Sequence, residues 1–313
     1  MLQEIKDRYS KGEFDKDRYY REMFKTHKHL FEYPALINNS PIKKIEIDSN
    51  QVTFNISNKG KDIKICCDER DAHALPMTYL NFRAYEVAEM DVTLKLIKPG
   101  DVIFDVGANI GWYTLNILLN APGSNVYSFE PIKSSHDLLI KNLALNGQNT
   151  DRVYNFGFSD ENKSIKFYFD IDCAMASSMV NLRESGGTIA EECVVKRMDD
   201  FVKLLASFNK LDFIKCDVEG AEYLVFKGGL ETINKYKPVI FSEMLRKWAK
   251  KFDYHPNDII KLLGSVNYEC YIINNDKIEK FNTVDEDTVQ TNYLFFHKDK
   301  HADIVSKLIS GIE

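Results

Sequence analysis

The sequence lacks several features that would have decided its class. None of its six cysteines forms a C-x-x-C pair, so neither a zinc site nor a secreted disulfide framework has its usual spacing. Cys66, Cys67, Cys173, Cys193, Cys216 and Cys270 mostly sit in apolar runs, the setting of reduced, buried thiols. No apolar run approaches the roughly eighteen residues that mark a membrane-spanning helix. The opening segment from Met1 to Lys25 is charged throughout, with no apolar stretch like that of a signal peptide. Positive charge is not in excess: 41 Lys and Arg against 47 Asp and Glu leave a net −6. That balance gives no bulk attraction to phosphate backbones or anionic membranes. Internal repeats, low-complexity tracts and a clean linker are also missing. The expectation is a soluble cytoplasmic protein with no membrane span and no nucleic-acid partner.

What is present is ordinary globular composition. Of 313 residues, 44% are apolar, 28% charged and 12% aromatic, which excludes a disordered chain or a fibre and allows a sizeable core. Residues 1 to 35 read as polar helix. From Ile42 to Glu69 apolar and polar residues alternate around turn signals at Asp48-Ser49-Asn50 and Asn58-Lys59-Gly60, which predicts an antiparallel meander. A helix follows over Arg83–Ile97, stopped by Pro99-Gly100.

Five apolar runs come next, at 101–106, 125–130, 152–158, 211–218 and 238–243, most of them followed by a helical stretch. Strands alternating with helices predict βαβ units and a parallel sheet, an α/β fold. SIKFYFD and ECVVKR read as an inserted strand pair, with a Ser/Gly-rich loop from 172 to 188 expected to close over the site. The runs at 268–274 and 291–297 predict a hairpin with one strand antiparallel to the rest. The domain boundary is placed at 75/76, with residues 1–75 as an extension that either shapes a substrate pocket or forms a homodimer contact.

The most informative segment is Asp101-VIFDVGANIGWYTL. A buried strand ends at Val106, a turn carries Gly107 and Gly111, and a helix begins. Such a turn at the carboxyl edge of a parallel sheet is a nucleotide-binding position. A dinucleotide fingerprint would want small residues where Asn109 and Trp112 stand, and a P-loop would want Lys followed by Ser or Thr. Neither is present, so the turn suits a smaller zwitterionic group, such as the amino-acid part of S-adenosylmethionine. Glu130 ends the next strand, about twenty residues on, where an acidic side chain accepts from ribose hydroxyls.

Two more strand ends carry acids. Asp217 and Glu219 lie two apart after the fourth run, and project to one side if strand geometry continues. Glu243 ends the fifth run beside them. Converging carboxylates raise one another's pKa, which active sites use for base chemistry. Glu222 reads as a first-turn helix residue favoured by the dipole. His136 and His255 have no nameable partner and read as surface residues. No ligand set predicts a metal.

DVGANIGWYTL, SFEP, FGFSD, IKCDVEGAE and KPVIFSE follow one another here as in the FkbM family of S-adenosylmethionine-dependent methyltransferases, which the chain resembles from Tyr79 to Met244. Tyr85-Glu86 and the pair Ser177-Ser178 fit as well. The resemblance implies a class I methyltransferase (Rossmann-like) fold, with a seven-stranded, mostly parallel sheet and helices on both faces. It implies S-adenosylmethionine as cofactor, with Asp105, Gly107, Ala108, Asn109 and Gly111 around the methionine part, Glu130 on the ribose, and Gly157 and Phe158 at the adenine. Glu86 is a candidate for the methionine amino group. The implied reaction is methyl transfer to a hydroxyl of a sugar, glycan or natural product, with Asp217 or Glu219 as base and Glu243 orienting the acceptor. Competing readings are an RNA or protein methyltransferase and a cofactor-binding protein without catalysis.

Overall fold

The computed structural model describes residues 1–170, 173–178, 188–274 and 277–310. The polar opening forms helices α1 (Leu2–Ser10), α2 (Lys16–His27) and α3 (Tyr33–Ile37). The meander follows as β1 (Ile42–Ile47), β2 (Val52–Asn58) and β3 (Lys61–Ile65), turning where the Asp, Asn and Gly signals stand. It is not a free-standing unit. Ile42, Phe54, Ile56, Ile63 and Ile65 are buried in the same apolar cluster as the central sheet. The open edge of β3 is paired by two asparagines of a later helix, α7 (Lys133–Leu145): Asn142 within it and Asn146 at its C-cap. Asn146 Oδ1 accepts from Lys64 N (2.9 Å) and its Nδ2 donates to Lys64 O (2.7 Å), while Asn142 does the same for Cys66 (2.9 and 3.1 Å). Four residues apart, the two amides share one helix face and replace the partner an edge strand would lack.

After α4 (Leu75–Phe82) and α5 (Val87–Leu96) comes the central sheet. Its strands are β4 (Val102–Val106), β5 (Asn125–Phe129), β6 (Val153–Tyr154), β11 (Phe213–Cys216), β12 (Val239–Glu243), β13 (Tyr268–Asn274), β14 (Lys277–Phe281) and β15 (Asn292–His297). Their spatial order is β14-β13-β15-β12-β11-β4-β5-β6. β12, β11, β4, β5 and β6 pair in parallel, and β15 runs against β12. Alternate residues face opposite layers, as a sheet covered on both sides requires. Ile103, Phe213 and Phe241 pack towards the meander, α6 (Trp112–Asn120) and α7. Phe104, Ile214 and Ile240 pack into an aromatic cluster against α8 (Met198–Leu204), α9 (Glu222–Gly228), α10 (Leu230–Tyr236) and α12 (Pro256–Gly264). The chain leaves β4 towards β5 on one side and meets β11 on the other, so the strand order reverses between β4 and β11. Crevices at the carboxyl end of such a reversal are where open α/β sheets bind ligands.

Four expectations are corrected. The sheet has eight strands rather than seven, because the connection between β13 and β15 is long enough to fold back as β14, whose Ile278 fills the core. The third apolar run is two short strands. Asn155 Nδ2 donates to the Glu130 and Pro131 carbonyls (both 3.0 Å), which bends the chain so that β6 stays in the central sheet and β7 (Gly157–Phe158) joins a second one. That second sheet, β7-β10-β8-β9, contains the inserted strands β8 (Lys163–Asp170), β9 (Cys173–Ser178) and β10 (Thr188–Lys196). The helix expected over Arg83–Ile97 begins only at Val87, after a break where Arg83 and Glu86 adopt φ of 63° and 44°. The long helix after the fourth strand is broken at Gly228-Gly229 into α9 and α10.

Among the described residues no helix is long and apolar enough to cross a membrane. Residues 171–172 and 179–187 of the inserted loop lie outside the described residues, as do the side chains of Ser177 and Ser178.

Candidate active site

The crevice at the strand reversal holds a cavity of about 410 Å³. The turn after β4 forms its floor. Gly107 and Gly111 adopt φ of 78° and 95°, a region open to glycine at little cost. A Cβ on Gly107 would stand 1.8 Å from the Asp217 carbonyl oxygen, so this turn and the loop after β11 are in backbone contact. Non-glycine residues with positive φ are uncommon, and three of them, Glu86, Asn109 and Glu219, line this one cavity. Backbone strain of that kind gathers at functional sites.

Glu130 sits at the end of β5 with little exposure. Its Oε2 accepts from Asn109 N and its Oε1 from Ile132 N, both at 2.9 Å. A carboxylate offers about four acceptor positions, so each oxygen keeps one for a ligand. Burial pushes its pKa up to about 7, against the pull of the Ile132 and Asn109 amides. Ala108, Gly157 and Phe158 also face the cavity. The Phe158 ring is packed at 4.4 Å, centroid to centroid, against Phe129. Glu86 reaches the cavity through the helix break and accepts from Tyr113 Oη at 2.7 Å. Burial and the nearby Asp217 raise its pKa.

Two of the sequence candidates stand behind the wall. Asp105 is fully buried and accepts from Thr114 Oγ1 at 2.6 Å. Gly111 caps α6, and a Cβ there would lie 2.5 Å from Leu139 Cδ1. Neither lines the cavity. His136 lies beside Asp137, its Nδ1 3.5 Å from Oδ1, and His255 caps α12 by accepting from Asn257 N; neither reaches the cavity.

The opposite wall is acidic. Asp217, Glu219 and Glu243 each offer an oxygen within 4.8 Å of the others. They do not meet by continued strand geometry, because β11 stops at Cys216 and Glu219 has φ 52°. The loop 217–221 is instead shaped by Glu222, whose Oε1 accepts from Val218 N (3.1 Å) and Gly220 N (3.0 Å) and whose Oε2 accepts from Tyr254 Oη (3.0 Å). Glu222 is the first-turn acid of α9 that its position in sequence predicts and is also a buried brace, and burial lifts it to about 7. Glu219 and Glu243 are both raised, first by burial and then by Asp217, with Glu243 also facing Glu219. Two such groups titrate as a unit. Among the described residues this trio is the group whose spacing a shared metal ion could bridge. Asp217 already has a cation in contact: Lys215 Nζ is 3.0 Å from its Oδ2.

Several wall residues escaped the sequence reading. Lys215 is one, although a lysine inside the run FIKC is itself a signal, since a buried charge needs a partner. Tyr113 is another. Cys67, Asp68, Asp71 and His73 also line the cavity, so the boundary at 75/76 cuts through its wall. Cys66, Cys193, Cys216 and Cys270 are buried free thiols.

The chain is 27% identical over 142 residues to Methyltransferase 1 of Beauveria bassiana, covering 40% of this chain and 57% of that protein. It is 28% identical over 155 residues to 2-O-methyltransferase NoeI of Sinorhizobium fredii, covering 45% and 62%. It is 38% identical over 81 residues to 31-O-demethyl-FK506 methyltransferase FkbM of Streptomyces tacrolimicus, covering 26% and 31%. The chain thus spans about half the length of the curated relatives it matches. A crystal structure of methyltransferase FkbM from Methylobacillus flagellatus aligns with a TM-score of 0.40 at 17% identity, over 74% of this chain and 55% of that one. The sequence profile described as "Methyltransferase FkbM domain" matches residues 105–270. That match runs from the strand that feeds the glycine turn, through both acidic strand ends and into β13, over more than half of the chain, which therefore belongs to the FkbM methyltransferase family.

Proposed function

We propose that this protein is an S-adenosylmethionine-dependent O-methyltransferase that acts on a hydroxyl of a small molecule: a sugar, a glycan or a natural-product scaffold. One observation carries the reading: the carboxylates of Asp217, Glu219 and Glu243 converge in the same cavity as the glycine turn and Glu130. The printed names of two relatives, a 2-O-methyltransferase and a 31-O-demethyl-FK506 methyltransferase, support oxygen as the accepting atom.

The residues present fit an adenosyl cofactor. The cavity of about 410 Å³ falls within the range of roughly 300–1,000 Å³ typical of small-molecule sites. Glu130 keeps acceptor positions for a diol. Trp112, which also lines the cavity, has a buried indole N–H without a partner. When bound, the cofactor supplies an electrophilic methyl group on a sulfonium.

The chain's own task is then to hold an acceptor oxygen in line and to remove its proton. Lys215 Nζ pairs with Asp217 Oδ2 at 3.0 Å. Glu219 and Glu243, raised first by burial and then by Asp217, divide the remaining work. Glu219 takes the hydroxyl proton as the acceptor oxygen gains its methyl group, and Glu243, in its protonated form, orients that oxygen by a hydrogen bond. The test is turnover on a panel of hydroxylated acceptors at saturating cofactor, comparing Asp217→Asn, Glu219→Gln and Glu243→Gln with the unmodified protein. A general base contributes about 10²–10⁴-fold, so Glu219→Gln loses at least about a hundredfold in kcat. Unchanged rates in all three variants remove the assignment.

A further inference from the structure

We infer that Lys215 is a positioning residue, the ammonium that ties the acidic wall of the cavity to the glycine turn. The inference rests on the functional reading above and deepens it. Lys215 lies in β11 between Ile214 and Cys216, both fully buried, and its own side chain keeps only 7% exposure. A cation in such a place must be paired and hydrogen-bonded to be tolerated. Its Nζ is 3.0 Å from Asp217 Oδ2, 3.5 Å from the Gly107 carbonyl oxygen and 5.0 Å from the centroid of the Tyr113 ring. Tyr113 in turn donates to Glu86. One ammonium therefore touches the turn after β4, the loop after β11 and the first turn of α6, and through Tyr113 it bears on the helix break at Glu86.

Its neighbours explain why the charge matters. Asp105 is the cross-strand partner of Lys215, and Glu86, Asp217, Glu219 and Glu243 face the same cavity. Among these groups Lys215 is the cation. Without it, Asp217 loses its ammonium contact, and Glu86, Asp105 and Glu219 lose a cation that acts on them. With it, the turn and the acidic loop are held at one point, so that a ligand seated on the turn also orders the loop.

The test uses the full chain with S-adenosylhomocysteine as the probe, read by calorimetry and by amide hydrogen exchange. In the unmodified protein, ligand slows exchange at both 107–111 and 217–221. In Lys215→Met, affinity falls about tenfold, the scale of one lost hydrogen bond to a charged group. Protection then persists at 107–111 and is lost at 217–221. Asp217→Asn, which keeps the lysine and the shape, gives the same decoupling, and it carries the test alone if Lys215→Met does not fold. The double variant binds within about twofold of the weaker single variant, because both remove one contact. Affinity and protection unchanged in either variant, or losses that multiply in the double variant, overturn the inference. Failure of the unmodified protein to bind S-adenosylhomocysteine overturns the functional reading and this inference with it. Binding without the decoupling overturns this inference alone.

Discussion

Replacing Gly107 by alanine tests the backbone contact on which the site is built. Its φ of 78° already disfavours an L side chain, at a cost of roughly 1–2 kcal/mol. The added Cβ would stand 1.8 Å from the Asp217 carbonyl oxygen, 2.9 Å from its carbon and 3.2 Å from Val218 Cγ1. A carbon–oxygen contact settles at about 3.3 Å or more, so the loop after β11 must retreat by roughly 1.5 Å. The two closest atoms are backbone, and that backbone is braced by Glu222, so no flexible side-chain end absorbs the overlap. Overpacking of this kind adds roughly 1–3 kcal/mol, for a total of about 2–5 kcal/mol. Gly123→Ala is the control. Its φ is 84°, but the nearest atom to its Cβ, Gly100 N, is at 3.9 Å, so it pays strain without a clash. Denaturant unfolding of the two variants isolates the clash as their difference, about 1–3 kcal/mol. Calorimetry adds the functional half: Gly107→Ala loses affinity for S-adenosylhomocysteine while Gly123→Ala does not. Equal stabilities for the two variants, within about 0.5 kcal/mol, with equal affinities, would refute the close approach.

Glu130→Gln removes the charge proposed to accept ligand hydroxyls. Because the ionised form is the better acceptor and burial holds the group at about 7, affinity for S-adenosylhomocysteine rises with pH through that value in the unmodified protein. In the variant it is about tenfold or more weaker and this pH dependence is gone; calorimetry from pH 6 to 8 decides. Glu222→Ala strands two loop N–H groups and the Tyr254 hydroxyl, at a cost of about 2–4 kcal/mol in unfolding free energy. Glu222 also sets a pH dependence. Its pKa is raised in the folded state, so the fold binds its proton more tightly than the unfolded chain does. Its stabilising contribution is complete below the ordinary value of 4.5 and lost as pH rises through about 7, a slope that denaturant titrations see in the unmodified protein and that weakens in the variant.

The parts of the fold legible in the sequence are those set by local chemistry. The meander is one, since period-two alternation and Asp/Asn/Gly turns act over a few residues. The strand–glycine–helix unit at 101–120 is another, since φ at Gly107 and the apolar run before it are local demands. What was not legible depends on contacts far apart in sequence. The bend at Asn155 exists because its amide reaches the chain at 130–131. Strand β14 has one fully buried apolar residue, Ile278, and one half-buried, Phe281 against Tyr293, too little pattern to mark it. Glu222 has the sequence context of a helix start, which it is, and only Tyr254 and the covering α12 make it a buried brace as well. The contribution of Cys67, Asp68 and Asp71 to the cavity follows from packing of the meander on α7, which no spacing in the first 75 residues encodes. Asp105 and Gly111 show the converse: motif positions that shape the turn from behind without facing the cavity.

The central claim is that the crevice between β4 and β11 takes an adenosyl sulfonium, with its ribose at Glu130. The direct measurement is calorimetry of the unmodified protein with S-adenosylmethionine and, separately, with NAD. The account predicts one saturable site for S-adenosylmethionine, weakened by Glu130→Gln, and no binding of NAD, for which Asn109 and Trp112 leave no pyrophosphate passage. Binding of NAD, or no heat with S-adenosylmethionine, would contradict it.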